Sequence, residues 1–419
     1  MIIVGLLLAL VAILGAPLFT VIAASAMLGY ARSDIPLSAV AIEVFGIAEM
    51  PILLAIPLFT FAGYVLSESQ APSRLVRLTH ALLGWLPGGL AIVSIAACAV
   101  FTAFTGASGV TIIALGALLY PALAEAGYGE RFNLGLVTAA GSLGLLFVPS
   151  LPLILYGVVA EVSIDDLFRA GVLPGLLMMV VLSGYCLWVN RSNRSPLSNF
   201  SWRELIATIR ETVWEIPLPI IVLGGIYSGY FAVSEAAAVT AVYVIVVEVF
   251  VQRDVPLAKL PQIMRESMVL VGGILLILGV SLASTNYMID AQVPERMIAV
   301  VNRLVEGPTS FLLLLFAFLL VLGAILDIFS ALVLIVPLIL PVAAQYGIHP
   351  VHLGIVFLST MQLGYLTPPV GLNLFISSYR FDQSILRVYL ATMPFLIMLL
   401  FAVLLITFWP SLSLVMLGE

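Results

Sequence analysis

Apolar runs close to twenty residues long recur from one end of this sequence to the other, near 2–30, 50–67, 87–104, 108–125, 133–160, 171–190, 215–231, 235–251, 267–289, 309–326, 329–346, 351–378 and 388–410. Crossing a hydrocarbon layer about 30 Å thick takes about 20 residues of helix, so runs of this length specify membrane-spanning helices. Barrel strands would need alternating segments of about ten residues, whereas these runs are continuous. The expected fold is an all-α polytopic membrane protein. Composition agrees, because 63% hydrophobic and 9% charged residues could not clothe a water-exposed surface of a 419-residue chain. A net charge of −6 offers no broad cationic field, which sets nucleic acid aside as a partner.

The opening Met1, Ile2, Ile3, Val4, Gly5 has no basic stretch and leads into a run too long for a signal peptide, so it reads as a retained first helix. Cys98 and Cys186 both sit in apolar runs and are expected as small core residues. His80, His349 and His352 form no HExxH pattern and lack a neighbouring carboxylate, so loop or interface positions are expected and no metal cluster.

Cytoplasmic loops of membrane proteins are enriched in Arg and Lys. The stretch 191–210 carries four arginines around Ser192, Asn193, Arg194, Ser195 and Pro196, and is expected on the cytoplasmic side. Parity then places Arg253, Lys259 and Arg265 there, with Arg74, Arg77, Arg131, Arg380 and Arg387. Arg32, Arg169, Arg296 and Arg303 fall outside, a bias of twelve to four for a cytoplasmic N-terminus and an external C-terminus. The segments 70–86 and 254–266 mix apolar and basic residues, which suits helices lying in the interface or ordinary loops.

Sliding the chain against itself reveals a register of 220 residues. Pro121, Gly127, Leu143, Gly144, Pro149, Pro174 and Met178 match Pro341, Gly347, Leu363, Gly364, Pro369, Pro394 and Met398. An odd number of crossings separates the two units, so they are expected to be inverted, as in many secondary transporters. Each unit is broken twice in mid-run: at 101–109 and 141–150 in the first, and at 325–330 and 364–373 in the second. Irregular backbone at membrane depth is tolerated only where protein or a water-filled cavity satisfies it. Carbonyls freed at half-helix C-termini can ligate Na⁺, and N–H groups at half-helix starts suit a carboxylate.

Asp327 is the only carboxylate inside these breaks; it is expected to act in transport or, failing that, to cap its hairpin. Glu235 reads as a carboxylate favoured at a helix N-terminus, and Glu248 as a side chain reaching the interface. Thr105, Ser108, Ser150, Thr367 and Asn373 cluster at the breaks, where they can bind cargo or serve as interhelical hydrogen-bond glue.

The segment Ala124, Glu125, Ala126, Gly127, Tyr128, the stretch 141–157, the stretch 234–239 and the run 366–375 with Thr367, Pro368, Pro369, Gly371 and Asn373 together resemble the large membrane subunit, the DctM-type permease, of tripartite ATP-independent periplasmic (TRAP) transporters. The resemblance covers nearly the whole chain and implies an inverted-repeat, elevator-type transporter with two helical hairpins and two broken helices. It implies scaffold helices and an interfacial helix over 1–86, a first repeat core over 87–190, a cytoplasmic loop and scaffold helices over 191–308, and a second repeat core over 309–419. It implies Na⁺ as coupling ion with no other cofactor, one Na⁺ site at Thr105, Ala107, Ser108, Gly144, Phe147 and Pro149, and a second at Asp327, Gly364, Thr367 and Pro369. A small carboxylate would lie between the tips, near Gly106, Ser108, Ser150, Ser330 and Asn373.

The implied partners are a small four-helix membrane subunit, a periplasmic substrate-binding protein and the lipid of a bacterial inner membrane. The chain departs from the family's frequent Ser-Gly-Ser-Ser at the first tip, where it has Thr105, Gly106, Ala107 and Ser108, and from a Pro-Pro-Ser where it has Val148, Pro149 and Ser150. Two other readings compete. A stand-alone Na⁺- or H⁺-coupled elevator carrier would need no partner subunits, and an intramembrane aspartyl protease would need a second aspartate facing Asp327, which no Gly-x-Gly-Asp segment supplies. No enzyme activity is expected.

Overall fold

The computed structural model describes residues 7, 8, 10, 11, 14–85, 88–191 and 201–418, so the expected first residues Met1 to Gly5 and the loop positions Ser192 to Pro196 lie outside the described residues. Among those described, every regular element is a helix. The N-terminal part comprises α1 (Leu18–Arg32), α2 (Ser38–Gly46), α3 (Ala55–Glu68) and α4 (Ala71–Leu83). The first repeat follows as α5 (Gly89–Thr105), α6 (Ser108–Glu125), α7 (Glu130–Ala140), α8 (Leu151–Ala160) and α9 (Ile164–Val189). Between the repeats lie α10 (Trp202–Glu211), α11 (Pro217–Tyr227), α12 (Val233–Ile245), α13 (Leu260–Asp290) and α14 (Val293–Leu304). The second repeat is α15 (Pro308–Gly323), α16 (Ile328–Gln345), α17 (Pro350–Gly364), α18 (Leu372–Arg380) and α19 (Ile385–Phe408). Seven helical segments among the described residues are long and apolar enough to cross a membrane, or up to nine if two bent pairs each count as one span.

The repeat register is visible residue by residue. α7 and α17 start 220 residues apart, and so do α6 and α16. Pro121 and Pro341 both lie inside helices, Pro174 and Pro394 likewise, and Gly127 and Gly347 both adopt positive φ just after a helix end. The bonds before Pro149 and Pro369 are both cis. Packing between the repeats obeys the same exchange: α16 lies on α8 as α6 lies on α18, and α7 lies on α19 as α17 lies on α9. A two-fold relation between the repeats accounts for these exchanged pairs.

Outside the repeats, α12 lies on α3, and α13 is a 31-residue helix that touches α1, α2, α3, α14 and α16. Small residues let it approach closely. A Cβ added at Gly29 of α1 would fall 2.5 Å from the Tyr287 ring, and the Tyr30 hydroxyl donates to the Ala283 carbonyl at 2.9 Å.

The interfacial expectations need correction. Segment 70–86 does contain a helix, α4, with Leu75, Leu78 and Leu82 in one row and Arg74 and Arg77 beside it. Segment 254–266, however, holds no separate interfacial helix. A short turn at Leu257–Lys259 runs straight into α13, because Pro261 in its first turn favours initiation there. The other amphipathic helices are α10 and α14, the latter bending by 111° into the apolar α15.

Two polar residues also sit differently from expectation. His352 is buried within α17 at 1% exposure, with Nδ1 3.2 Å from Ser413 Oγ and Nε2 3.3 Å from the Thr407 carbonyl. Glu248, also 1% exposed, does not reach the interface alone: its carboxylate meets Arg74 at 3.3 Å. Arg74 further contacts Glu215 at 2.5 Å and Asp254 at 2.7 Å, tying α4 to the start of α11 and the end of α12. Burial opposes the charge on Arg74, but the surrounding carboxylates outweigh it and hold the guanidinium above its ordinary pKa. Cys98 and Cys186 are buried core residues, as expected, and the Glu235 carboxylate accepts from the Ala232 N–H at 3.0 Å at the start of α12.

Candidate functional site

The four breaks fall into two clusters, each pairing a hairpin tip with a helix break. In the first, α5 ends where Gly106 turns the chain with φ of +65°, and α6 starts at Ser108 after extended Ala107. This tip is enclosed. A Cβ on Gly106 would sit 2.5 Å from Leu151, the first residue of α8, and a Cβ on Gly63 of α3 would sit 2.7 Å from Thr105 Cα. Thr105 is fully buried and its hydroxyl lies 3.5 Å from the Ala107 carbonyl.

The break opposite this tip is held by close backbone approach. α7 stops at Ala140, a 3-10 turn covers Leu143–Leu146, and α8 restarts behind Ser150. A Cβ on Gly144 would fall 2.2 Å from the Ala99 carbonyl, so only glycine lets the turn lie on α5. The Thr102 hydroxyl joins the parts, lying 2.7 Å from Thr111 Oγ1 across the hairpin and 2.9 Å from the Gly141 carbonyl. Phe147 lays its ring over Gly175 of α9, and the Ser150 hydroxyl donates to the Leu145 carbonyl.

The second repeat supplies the last wall of this cluster. Ser108 Oγ donates to Asn373 Oδ1 at 2.7 Å, and Asn373 Nδ2 donates to the Thr138 carbonyl at 3.4 Å. Thr138 Oγ1 in turn lies 2.8 Å from Ser377 Oγ. Ser108 opens α6 and Asn373 is the second residue of α18, while the start of α8 lies against Gly106. Three helix N-termini therefore converge, and their unpaired N–H groups and dipoles favour an anion.

The second cluster repeats the backbone but not the cover. A Cβ on Gly364, at the end of α17, would fall 2.3 Å from the Gly323 carbonyl carbon at the end of α15. The N–H groups of Val370 and Gly371 both donate to the Ala324 carbonyl at 3.2 Å. Thr367 N–H donates to the Gly364 carbonyl at 3.0 Å, as Phe147 N–H does to Gly144 in the first cluster. The Ile328 N–H donates to the buried Tyr365 hydroxyl at 2.8 Å. Asp327 caps α16, its Oδ1 accepting from Phe329 N–H at 3.0 Å and Ser330 N–H at 2.9 Å, with the Ser330 hydroxyl on Oδ2. Its side chain is exposed, as are Pro368, Pro369 and Val370. Carbonyls at the ends of α7 and α17 are the kind of oxygen donors that suit a hard monovalent cation.

Of the residues singled out from sequence, the structure gathers Thr105, Gly106, Ala107, Ser108, Gly144, Ser150 and Asn373 around the first tip, and Asp327, Ser330, Gly364, Thr367 and Pro369 around the second. Ser330 is engaged with Asp327, its hydroxyl donating to Oδ2, whereas Ser108 is engaged with Asn373. Thr102, Thr111, Thr138, Ser377 and Tyr365 belong to the same clusters and were not singled out. A signal was available for two of them, since Thr138 lies one turn before the break at Gly141 and Ser377 lies four residues after Asn373, on the same helix face. Gln362, buried in α17 two residues before Gly364, has no hydrogen-bond partner on either amide atom.

A polytopic helical bundle with repeated hairpins and repeated broken helices defines a membrane carrier. The chain belongs to the DctM component family of tripartite ATP-independent periplasmic transporters, whose family model matches residues 2–412. It is 36% identical over 375 residues, 89% of this chain and 88% of the relative, to the C4-dicarboxylate TRAP transporter large permease protein DctM of Pseudomonas aeruginosa. It is 32% identical to the ectoine/5-hydroxyectoine TRAP transporter large permease protein UehC of Ruegeria pomeroyi, covering 86% of this chain and 85% of that one. The isethionate TRAP transporter permease protein DctMQ of Oleidesulfovibrio alaskensis is 32% identical over 90% of this chain and 60% of its own length. Among solved structures, the YdaH transporter of Alcanivorax borkumensis shares the fold with a TM-score of 0.59 at 13% identity, over 89% of this chain and 87% of that one. The family is one of large permease subunits, multi-pass membrane proteins that work in general with a small membrane subunit and a periplasmic binding protein.

Proposed function

We propose that this chain is the moving, cargo-binding subunit of a Na⁺-coupled importer that takes a small organic acid from a periplasmic binding protein and carries it inward by an elevator motion. The observation that carries the proposal is the convergence of three helix N-termini at Gly106, Ser108 and Asn373, a place built to receive a carboxylate. Relatives named for C4-dicarboxylates, isethionate and ectoine support a small charged organic cargo.

In this reading one Na⁺ is held by Thr105, Ala107, Ser108, Gly144, Phe147 and Pro149, largely through carbonyls, and a second by the tip around Asp327 with Gly364, Thr367 and Pro369. The repeats would move together against α1, α2, α3, α12 and α13, with the small subunit bracing those helices. The arginine and lysine distribution supports an inner-membrane protein with its N-terminus in the cytoplasm and its C-terminus in the periplasm. Two Na⁺ carried with a monoanion move one net positive charge inward, worth about 2.3 kcal/mol per 100 mV before the Na⁺ gradient is added. The test is uptake into proteoliposomes holding this chain, the small subunit and the binding protein. Uptake should stop when K⁺ replaces Na⁺ on the outside; uptake that continues unchanged defeats the coupling.

A further inference from the structure

Away from both clusters, a cavity of about 550 Å³ lies between α4, the first arm of the first hairpin and the start of α11. Its wall includes Leu78 and Leu82 of α4, Ala96 and Val100 of α5, and Leu218 and Ile220 of α11. Only Thr79 and Glu215 bring polar side chains to it; Glu215 Oε1 accepts from Arg74 and Gln252, while its buried Oε2 has no hydrogen-bond partner. The small side chains of Ala96 and its neighbour Ala97 create the hollow. The rim is open, with Leu82 at 44%, Val100 at 43% and Ile220 at 64% exposure.

Away from Glu215 and Thr79 the hollow offers ordered water no polar partners, and its size falls in the volume range of ligand sites, typically about 300–1,000 Å³. In a membrane protein the apolar molecule at hand is a lipid chain. The position along the membrane normal also fits, because α4 and α10 are amphipathic, and α10 exposes Trp202, Ile206 and Ile209 as an interfacial helix does. Arg77 and Glu211 pair at 2.9 Å between these helices, both exposed; Arg77 is the neighbour of Leu78, and Glu211 lies one turn before Glu215, both of which line the cavity. The pair offers one cation and one anion, the complement of a head group that carries a phosphate and an ammonium.

We propose that this cavity is a phospholipid site: one acyl chain fills the hollow between α4 and α5, and a zwitterionic head group rests on the Arg77–Glu211 pair. Phe104, which also lines the cavity, stands next to Thr105 at the first tip, so the chain would pack directly behind the hairpin. The site does not depend on the nature of the cargo or on Na⁺ coupling.

The test uses the full chain in nanodiscs containing a phosphatidylethanolamine with a photoactivatable diazirine in its acyl chain. Label should concentrate on the peptides carrying Leu78, Leu82, Ala96 and Val100, above the label at Val180, which is exposed on α9. Ala96→Phe, which fills the hollow, should lower that label about tenfold, as expected from displacing two buried methylenes, and leave Val180 unchanged. Ala96→Leu guards against a misfolded first variant and should give a smaller loss. Replacing Arg77 and Glu211 by Gln should reduce retention of the ethanolamine lipid relative to a phosphatidylglycerol probe. Equal label at Val180 and in the hollow, no loss in either Ala96 variant, or displacement of the probe by the small subunit on assembly would each overturn the proposal.

Discussion

The two hairpin tips hold equivalent places in the chain, 220 residues apart, and yet one is enclosed and the other open. At the first tip Thr105, Gly106 and Ser108 are buried beneath α3, α8 and α18. At the second, Ile325 is 58% exposed, and Asp327 with the segment 368–370 lies at the surface. The backbone device is the same in both, a helix end packed glycine-to-backbone against a break that carries a cis proline. What differs is where the polar groups find partners. The buried tip carries no charge and borrows from other helices: Ser108 from Asn373, and Asn373 from Thr138. The open tip carries the one carboxylate and satisfies it within its own turn, through Phe329 and Ser330. A charge is tolerable where the surface lets it keep hydration, and costly where it does not.

The largest effect should come from the feature the tips share. Gly144→Ala would drive a methyl into the Ala99 carbonyl, and Gly364→Ala would drive one into Gly323. Neither neighbour is a flexible side chain, so each substitution should cost at least about 1–3 kcal/mol and remove folded protein or transport. Thermal unfolding in detergent and uptake in proteoliposomes would measure both. If Gly144→Ala were tolerated and Gly364→Ala were not, the clusters would differ in rigidity as well as in cover.

A smaller effect should separate the tips through the link between repeats. Ser108→Ala leaves Asn373 Oδ1 without its donor in a buried place, which costs about 1–3 kcal/mol. Asn373→Leu removes the same bond and also frees the Thr138 carbonyl, so it should cost more. The double variant should cost less than the two summed, with a coupling of about 0.5–3 kcal/mol measurable by thermal or denaturant unfolding. Strict additivity would mean that the bond does not hold the repeats together.

The parts of this architecture written in local sequence were legible. Recurrent apolar runs gave the helices, and Gly and Pro positions repeated at one offset gave the breaks, because a broken helix needs those residues whatever surrounds it. The burial of His352 and the Arg74 cluster were not legible, since Arg74 meets carboxylates 141 and 174 positions away. Helix α14 was missed for another reason: with Glu295, Arg296 and Arg303 spread along it, its apolar stripe is too narrow to register as a membrane run. The unequal cover of the tips belongs to the same class, because it rests on Gly63, Leu151 and Asn373 arriving from three other helices.

The smallest change in stability, and the sharpest test of what the open tip does, is Asp327→Asn. Asn caps a helix about as well as Asp, so the bonds to Phe329 and Ser330 N–H can persist and the melting temperature should move little. Asp327→Ala removes the cap and should cost about 0.5–2 kcal/mol. The charge, in contrast, is lost in both variants. A carboxylate about 4 Å from a bound Na⁺ contributes about 1 kcal/mol even at the dielectric constant of water, so a coupling role predicts a Na⁺ requirement raised at least about fivefold in Asp327→Asn. A pure cap predicts an unchanged Na⁺ dependence in Asp327→Asn and a loss confined to stability in Asp327→Ala. Measuring the Na⁺ dependence of uptake beside the melting temperature separates the two roles, because stability follows the cap and the Na⁺ requirement follows the charge.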